Sequence, residues 1–243
     1  MNIFILSGEE PLHLPGFAER IFNEKRESIK GIAVFPFFSW KRIRDQFLLY
    51  GMSGFTKRSF RYLHAVIKGK SVRDVARKHG IPVYSFEGVN AAGLLSLVKE
   101  AEIDLVISLY CPKIFGKELI SLPSKGCINT HFGLLPRYRG ISPIFWALLN
   151  QEKEIGITVH YINEGIDDGR IILRDTVQVG SKKIDEIYRD AFALAPQLLL
   201  EAITKIEQGA VSTADNNAKE GSYYTYPKKE DYKRFRSTCR GRL

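Results

Sequence analysis

Apolar positions along the chain fall into short runs separated by stretches with helical spacing. Residues 3–7, 31–35, 82–86, 105–109 and 127–130 are apolar without alternation, as in strands buried on both faces. Between them, residues 12–25, 41–49, 59–67, 71–79 and 92–101 carry apolar side chains at helical intervals. Strands alternating with helices predict an α/β, Rossmann-like fold: a mostly parallel sheet with helices on both faces and right-handed crossovers.

The pattern changes after residue 149. Residues 155–162 and 171–179 partly alternate, and the Gly-rich acidic stretch 164–169 separates them, which predicts an antiparallel pair near 155–179. Residues 143–149 read as a short helix on the sheet. Residues 183–207 read as a long helix that Pro196 should kink or split. Residues 209–221 are small and polar and read as a linker or flexible loop. The expected organisation is a catalytic domain over 1–207, then a linker and a short basic, aromatic C-terminal extension over 208–243.

Composition narrows the class. Hydrophobic residues make up 44% and charged residues 26% of 243 positions, ordinary for a globular protein with a sizeable core. No apolar run is long enough to span a bilayer, and the N-terminus reads as a first strand rather than a signal peptide. Three cysteines without metal spacing predict a reducing, cytoplasmic setting and no metal site. The net charge of +9 is concentrated in residues 41–78 and 228–242, which keeps nucleic acid among the possible partners.

The chemistry gathers after the fifth predicted strand. Asn129 and His131 share side-chain parity at its carboxyl end, where open parallel sheets bind ligands. Asp167 follows in a loop flanked by Gly165 and Gly169. An amide can donate to a developing oxyanion, an imidazole can move a proton, and a carboxylate can hold the imidazole's tautomer and favour its charged form. Together they suit acyl-type transfer through a tetrahedral intermediate. Buried hydrogen-bonding roles and a turn cap are the plainer alternatives.

The string INTHFGLLPRYRG, followed by GITVHYINEGIDDGRII, resembles the folate-dependent formyltransferase family. Asn129, His131, the Leu134, Leu135, Pro136 turn, Arg139 with Gly140, and the loop from Gly165 to Gly169 match its motif in order and spacing. The match is strongest over residues 100–180. The resemblance implies that N10-formyltetrahydrofolate gives its formyl group to a primary amine. Asn129 would donate to the oxyanion, His131 would act as general base or oxyanion donor, and Asp167 would orient and charge His131. It further implies a pterin site beside Leu109, Tyr110, Cys111, Pro112, Lys113 and Ile114, faced by backbone groups of Glu164, Gly165 and Ile166. An ordinary strand-to-helix loop is the alternative for the first of these segments.

Within the family, the loop after the first strand carries Glu9 and Glu10, which would repel a phosphate and disfavour a glycinamide ribonucleotide. The residues after 207 are too few for the tRNA-gripping domain of methionyl-tRNA formyltransferases, and no regulatory domain of a deformylase fits before residue 2. A nucleotide-linked amino sugar is therefore the expected substrate, with tRNA or hydrolysis of the folate as alternatives. Arg137, Arg139, Lys228, Lys229 and Arg236 are candidates for its diphosphate, and Tyr223, Tyr224 and Tyr226 for its base. The same tyrosines could instead pack the tail on the core or on a second subunit of a homodimer. The long basic segment 39–79 has no assigned role.

Overall fold

The computed structural model describes residues 1–36, 40–68 and 71–243, without the side chains of Lys41 and Arg42. Ser39, Gly69 and Lys70, which belong to the long basic segment, lie outside the described residues.

Strand β1 (Ile3–Gly8) is buried along its whole length and lies inside the sheet, with a parallel neighbour on each side. Its alternating side chains serve two cores. Ile3 and Ile5 face a layer that includes Phe17, Ile21 and Leu199, while Phe4 and Leu6 face Leu94, Val98 and Leu119. This double burial is why the strand shows no polar alternation. The other strands are β2 (Ile29–Phe35), β3 (Val83–Tyr84), β4 (Leu105–Leu109), β5 (Cys127–His131), β6 (Arg139–Gly140), β7 (Glu154–Tyr161), β8 (Ile171–Gln178) and β9 (Tyr223–Tyr224). Seven of them form one sheet in the order β3-β2-β1-β4-β5-β7-β8. It is parallel as far as β5, then β7 runs antiparallel to β5 and β8 antiparallel to β7. The fold is thus the expected α/β, Rossmann-like arrangement. The short β6 and β9 pair with each other in a separate ribbon.

The helices are α1 (Leu14–Lys25), α2 (Trp40–Ile67), α3 (Val72–Lys78), α4 (Ala92–Glu100), α5 (Lys117–Ser121), α6 (Pro143–Leu149), α7 (Ile184–Glu207) and α8 (Lys229–Thr238). Two expected helices, 41–49 and 59–67, are joined in α2 across a break at Gly51, whose φ of 66° lies in the left-handed region. The stretch between them carries two glycines, which weakens its local signal. Tertiary ties hold it instead: Arg58 and Arg61 bind the Asp185 carboxylate at 2.6 and 2.7 Å, and the Tyr50 hydroxyl donates to it.

The expected split at Pro196 is absent, and α7 runs through it as one helix. An interior proline costs about 3 kcal/mol. Burial of Phe192, Leu198 and Leu199 around it contributes roughly 1.5–3 kcal/mol each and outweighs that cost. Residues 209–221 form a strap rather than a loose linker. Ala214 exchanges backbone hydrogen bonds with Ile171, and Ser222 N–H donates to the Pro136 carbonyl.

Two glycines of opposite character test this packing. A side chain at Gly156 in β7 would press into the Leu134 backbone, whereas one at Gly16 in α1 meets nothing. Gly156→Ala is expected to lower stability by about 2–4 kcal/mol, and Gly16→Ala to raise it by up to about 1 kcal/mol, in urea unfolding.

Candidate active site

A cavity of about 600 Å³ opens at the carboxyl ends of β4 and β5. The register assembles its polar wall. Ser108 on β4 pairs with Asn129 on β5, and Asn129 pairs with His160 on β7. Period-two alternation puts His131 on the same face as Asn129. His160 had not been singled out in the sequence. Its signal was the antiparallel pairing itself, because any polar residue opposite Asn129 must share its face.

Backbone carbonyls set the imidazole tautomers. His131 Nε2 lies 2.7 Å from the Tyr138 carbonyl, which can only accept, so Nε2 carries a hydrogen and Nδ1 is left for the cavity side. His160 Nδ1 lies 2.8 Å from the Tyr161 carbonyl and donates to it in the same way. Its Nε2 then offers a lone pair to Asn129 Nδ2 at 3.3 Å. That bond fixes which end of the Asn129 amide is the donor, and its second N–H has no partner among the described residues. Burial pushes the His160 pKa down to about 4, so this imidazole is neutral near pH 7.

Asp167 completes the arrangement from the loop between β7 and β8. Its Oδ2 stands 3.6 Å from His131 Nδ1 and its Oδ1 3.6 Å from His160 Nε2. At this distance neither is a formed hydrogen bond, and each becomes an ion pair only when its imidazole is protonated. The Gly140 N–H donates to Oδ2 at 2.9 Å. Burial alone would raise the Asp167 pKa; the two imidazoles, the Gly140 N–H and Arg139 outweigh it and hold the carboxyl below its ordinary 3.8.

The loop's shape follows from its glycines and its neighbours. A side chain at Gly169 would strike the Tyr161 carbonyl, and one at Gly140 the Tyr224 carbonyl. Asp167 itself has φ 50°, unusual for a non-glycine residue. Asn216 in the strap stabilises that conformation by donating from Nδ2 to the carbonyls of Asp167 and Gly169, each at 3.0 Å.

Among the residues singled out for the folate, Tyr110, Cys111, Pro112, Lys113, Ile114, Gly165 and Ile166 line the cavity. Leu109 and Glu164 do not: Leu109 is buried in β4, and the exposed Glu164 carboxylate lies 3.7 Å from Lys117. Ile114 and Ile166 are 72% and 41% exposed, an apolar surface open to a flat ring system. The Cys111 thiol is pushed up to about 12 by burial, which leaves it protonated and a poor nucleophile.

The substrate candidates are placed differently from the folate ones. Arg137 pairs with Glu152 at 2.9 Å, and neither it nor Arg139 lines the cavity. Arg139 instead clamps the Asp167 loop, donating from Nε to the Ile166 carbonyl at 2.9 Å and facing Asp168 at 3.7 Å. Tyr224 stacks between Tyr138 and Trp146 at centroid distances of 5.6 and 4.8 Å, packing the tail on the core. Tyr223 and Tyr226 reach the cavity, whereas Lys228, Lys229 and Arg236 do not.

A mostly parallel sheet with an amide, an imidazole and a carboxylate converging at its carboxyl edge is an arrangement suited to acyl-type group transfer. A family model described as formyl transferase matches residues 64–203, more than half of the chain, and the chain belongs to that family of folate-dependent one-carbon transferases. The match extends beyond the motif stretch and takes in the end of the basic segment. The methionyl-tRNA formyltransferase of Kosmotoga olearia is 35% identical over 161 residues, 66% of this chain and 52% of that protein. The chain thus spans about half the length of the curated relatives it matches. Among solved structures, an N-formyltransferase from Helicobacter canadensis in complex with folinic acid and dTDP-3-aminofucose has a TM-score of 0.61 at 19% identity, covering 98% of this chain and 81% of that one. The phosphoribosylglycinamide formyltransferase of Streptococcus pneumoniae also gives 0.61 at 19% identity, covering 85% and 98%. Likeness at that identity establishes the shared fold.

Two measurements probe this geometry. Between pH 6.5 and about 4 the unfolded chain binds a proton at residue 160 that the folded chain refuses, so stability falls as pH drops through that window. The native protein should lose roughly 3 kcal/mol there in unfolding titrations, and His160→Asn should lose correspondingly less. Asn216→Ala should lower kcat by about ten- to a hundredfold, with a smaller change in KM and an altered pH–rate profile, because the Asp167 carboxylate loses its fixed position.

Proposed function

We propose that this protein moves a formyl group from N10-formyltetrahydrofolate to the primary amine of a nucleotide-linked amino sugar. The observation that carries the reading is the convergence of Asn129, His131 and Asp167 on one cavity wall, with Asp167 3.6 Å from His131 Nδ1. The folate supplies an activated one-carbon group, and members of this family use it. The exposed apolar pair Ile114 and Ile166 and the backbone of the neighbouring loops suit such a flat, donor- and acceptor-rich ring.

The roles follow from the hydrogen-bond directions. Asn129 keeps one N–H free to donate to an oxygen that gains negative charge, an effect of about 10²–10³ in rate in comparable sites. His131 presents Nδ1 to the cavity and can accept a proton from an attacking amine, while Nε2 stays tied to the Tyr138 carbonyl. Asp167, ionised at neutral pH, is the counter-charge for the imidazole once it holds that proton. The protonated thiol of Cys111 favours direct transfer over a covalent cysteine route.

The amine's identity rests on further support. Glu10 accepts hydrogen bonds from the N–H groups of Leu12, His13 and Leu14 at the start of α1, so a carboxylate occupies the donors that a substrate phosphate would need there. This disfavours a ribonucleotide phosphate at that point. Structural likeness to a dTDP-sugar-bound N-formyltransferase extends over 98% of the chain, including the strap and tail. A homodimeric, cytoplasmic enzyme belongs to the same reading; the three cysteines are free, and no helix among the described residues is long and apolar enough to cross a membrane. A second reading, transfer to aminoacyl-tRNA, is favoured by the 35% identity to a methionyl-tRNA formyltransferase and by the charge of +9.

The deciding experiment follows tetrahydrofolate release from N10-formyltetrahydrofolate with dTDP-linked 3-amino and 4-amino 6-deoxyhexoses, methionyl-tRNA, glycinamide ribonucleotide, or no amine. Amine-dependent release with a nucleotide sugar is expected. Release with methionyl-tRNA alone, weakening steeply with salt, selects the second reading. Release without any amine marks a hydrolase. Asn129→Ala should cost roughly 10²–10³ in kcat, and His131→Ala and Asp167→Ala roughly 10²–10⁴. Near-native turnover in a folded His131→Ala protein would reject the mechanism.

A further inference from the structure

The cavity continues past the triad to the other face of β5. Asn129 and His131 point to one face; Thr130, between them, points to the face of Ile128 and Phe132. This second lobe has a floor of Phe132 and Phe192, stacked at 4.3 Å between centroids. Its walls bring Glu10, Asp45 and Gln46, together with the phenols of Tyr188 and Tyr232. Two features point to a missing partner. Thr130 is 3% exposed, and its hydroxyl has no hydrogen-bond partner among the described residues. The Gln46 side-chain carbonyl is likewise buried without one.

The lobe is rich in acceptors. Asp45 is 8% exposed, with an Arg44 nitrogen 3.0 Å away and the Tyr232 hydroxyl donating to its carboxylate, which has further lone pairs to offer. The Glu10 carboxylate is held in place by the α1 N–H groups. Two carboxylates repel a phosphate and attract hydroxyl hydrogens or an ammonium group. The aromatic floor suits an apolar ring face. A pyranose with free hydroxyls and an amine meets both demands.

We infer that this lobe is the sugar subsite: Asp45, Thr130 and Gln46 hydrogen-bond the hydroxyls of the amino-sugar ring, and the phosphates of the nucleotide stay outside it. The inference rests on the amino-sugar reading above and adds its specificity residues. The amine then comes to the triad from the face opposite the folate loops. Thr130, one residue from Asn129 and from His131, ties the sugar's seat to the two groups that act on its nitrogen.

The test is isothermal titration of the native protein, Asp45→Asn, Thr130→Val and Gln46→Leu with two probes: dTDP-3-aminofucose and dTDP alone. The native protein should bind the sugar nucleotide more tightly than dTDP. Each variant with a native circular dichroism spectrum should lose about tenfold in that preference while binding dTDP unchanged. Thr130→Val is nearly isosteric, so it reports on the hydroxyl even if Asp45→Asn folds poorly. An unchanged preference in the folded variants, or no preference in the native protein, overturns the inference. Turnover separates it from the parent reading. A native enzyme that formylates the sugar while the variants keep their preference sinks the subsite alone. Absent turnover with the preference lost in the variants sinks the reaction and leaves the subsite standing.

Discussion

The Asp167 carboxylate, fixed between two imidazoles by a single backbone N–H, is the constraint on which the site depends. It reaches that position only because its loop turns back tightly on β7 and accepts a left-handed residue at its tip. Nothing in the loop's own sequence compels that conformation in an aspartate. Arg139 grips the loop at the Ile166 carbonyl, Gly140 at the carboxylate and Asn216 at two carbonyls. Two separate parts of the chain, residues 139–140 and Asn216, therefore hold the loop that carries this acidic side chain.

The second layer of control is the direction of protons. Two main-chain carbonyls, at Tyr138 and Tyr161, each claim one nitrogen of a histidine. What remains is a neutral acceptor on His160 aimed at Asn129, and the second nitrogen of His131 aimed at Asp167 and the cavity. The imidazoles and the carboxylate are thus oriented by backbone, which cannot titrate, and the amide is oriented through one of those imidazoles. The buried, neutral His160 costs some stability in acid and in return holds the Asn129 amide the right way round.

Much of this was legible in the chain. Unbroken apolar runs marked the parallel strands, and Asn129 and His131 could be placed at a strand tip by parity alone. Asp167 followed from its flanking glycines and the family motif. What was illegible shares one cause: dependence on partners distant in sequence. His160 gains meaning only from its register against β5. Arg139 resembled a free cation until its loop carbonyl and Asp168 were in view. Asn216 sat in a stretch with the composition of a tether. Pro196 argued against a continuous helix, and burial of its neighbours overrode it.

The β6–β9 ribbon joins Arg139 and Gly140 to Tyr223 and Tyr224, so the tail is stitched to the residues that steady Asp167. The strap and tail thus reach the loop of Asp167 from two sides, Asn216 at its carbonyls and the ribbon through Gly140. Regrafting a foreign tail would have to reproduce the ribbon's register as well as its composition. The pairing of the tail is therefore coupled, through Gly140, to the placement of a carboxylate on the loop between β7 and β8.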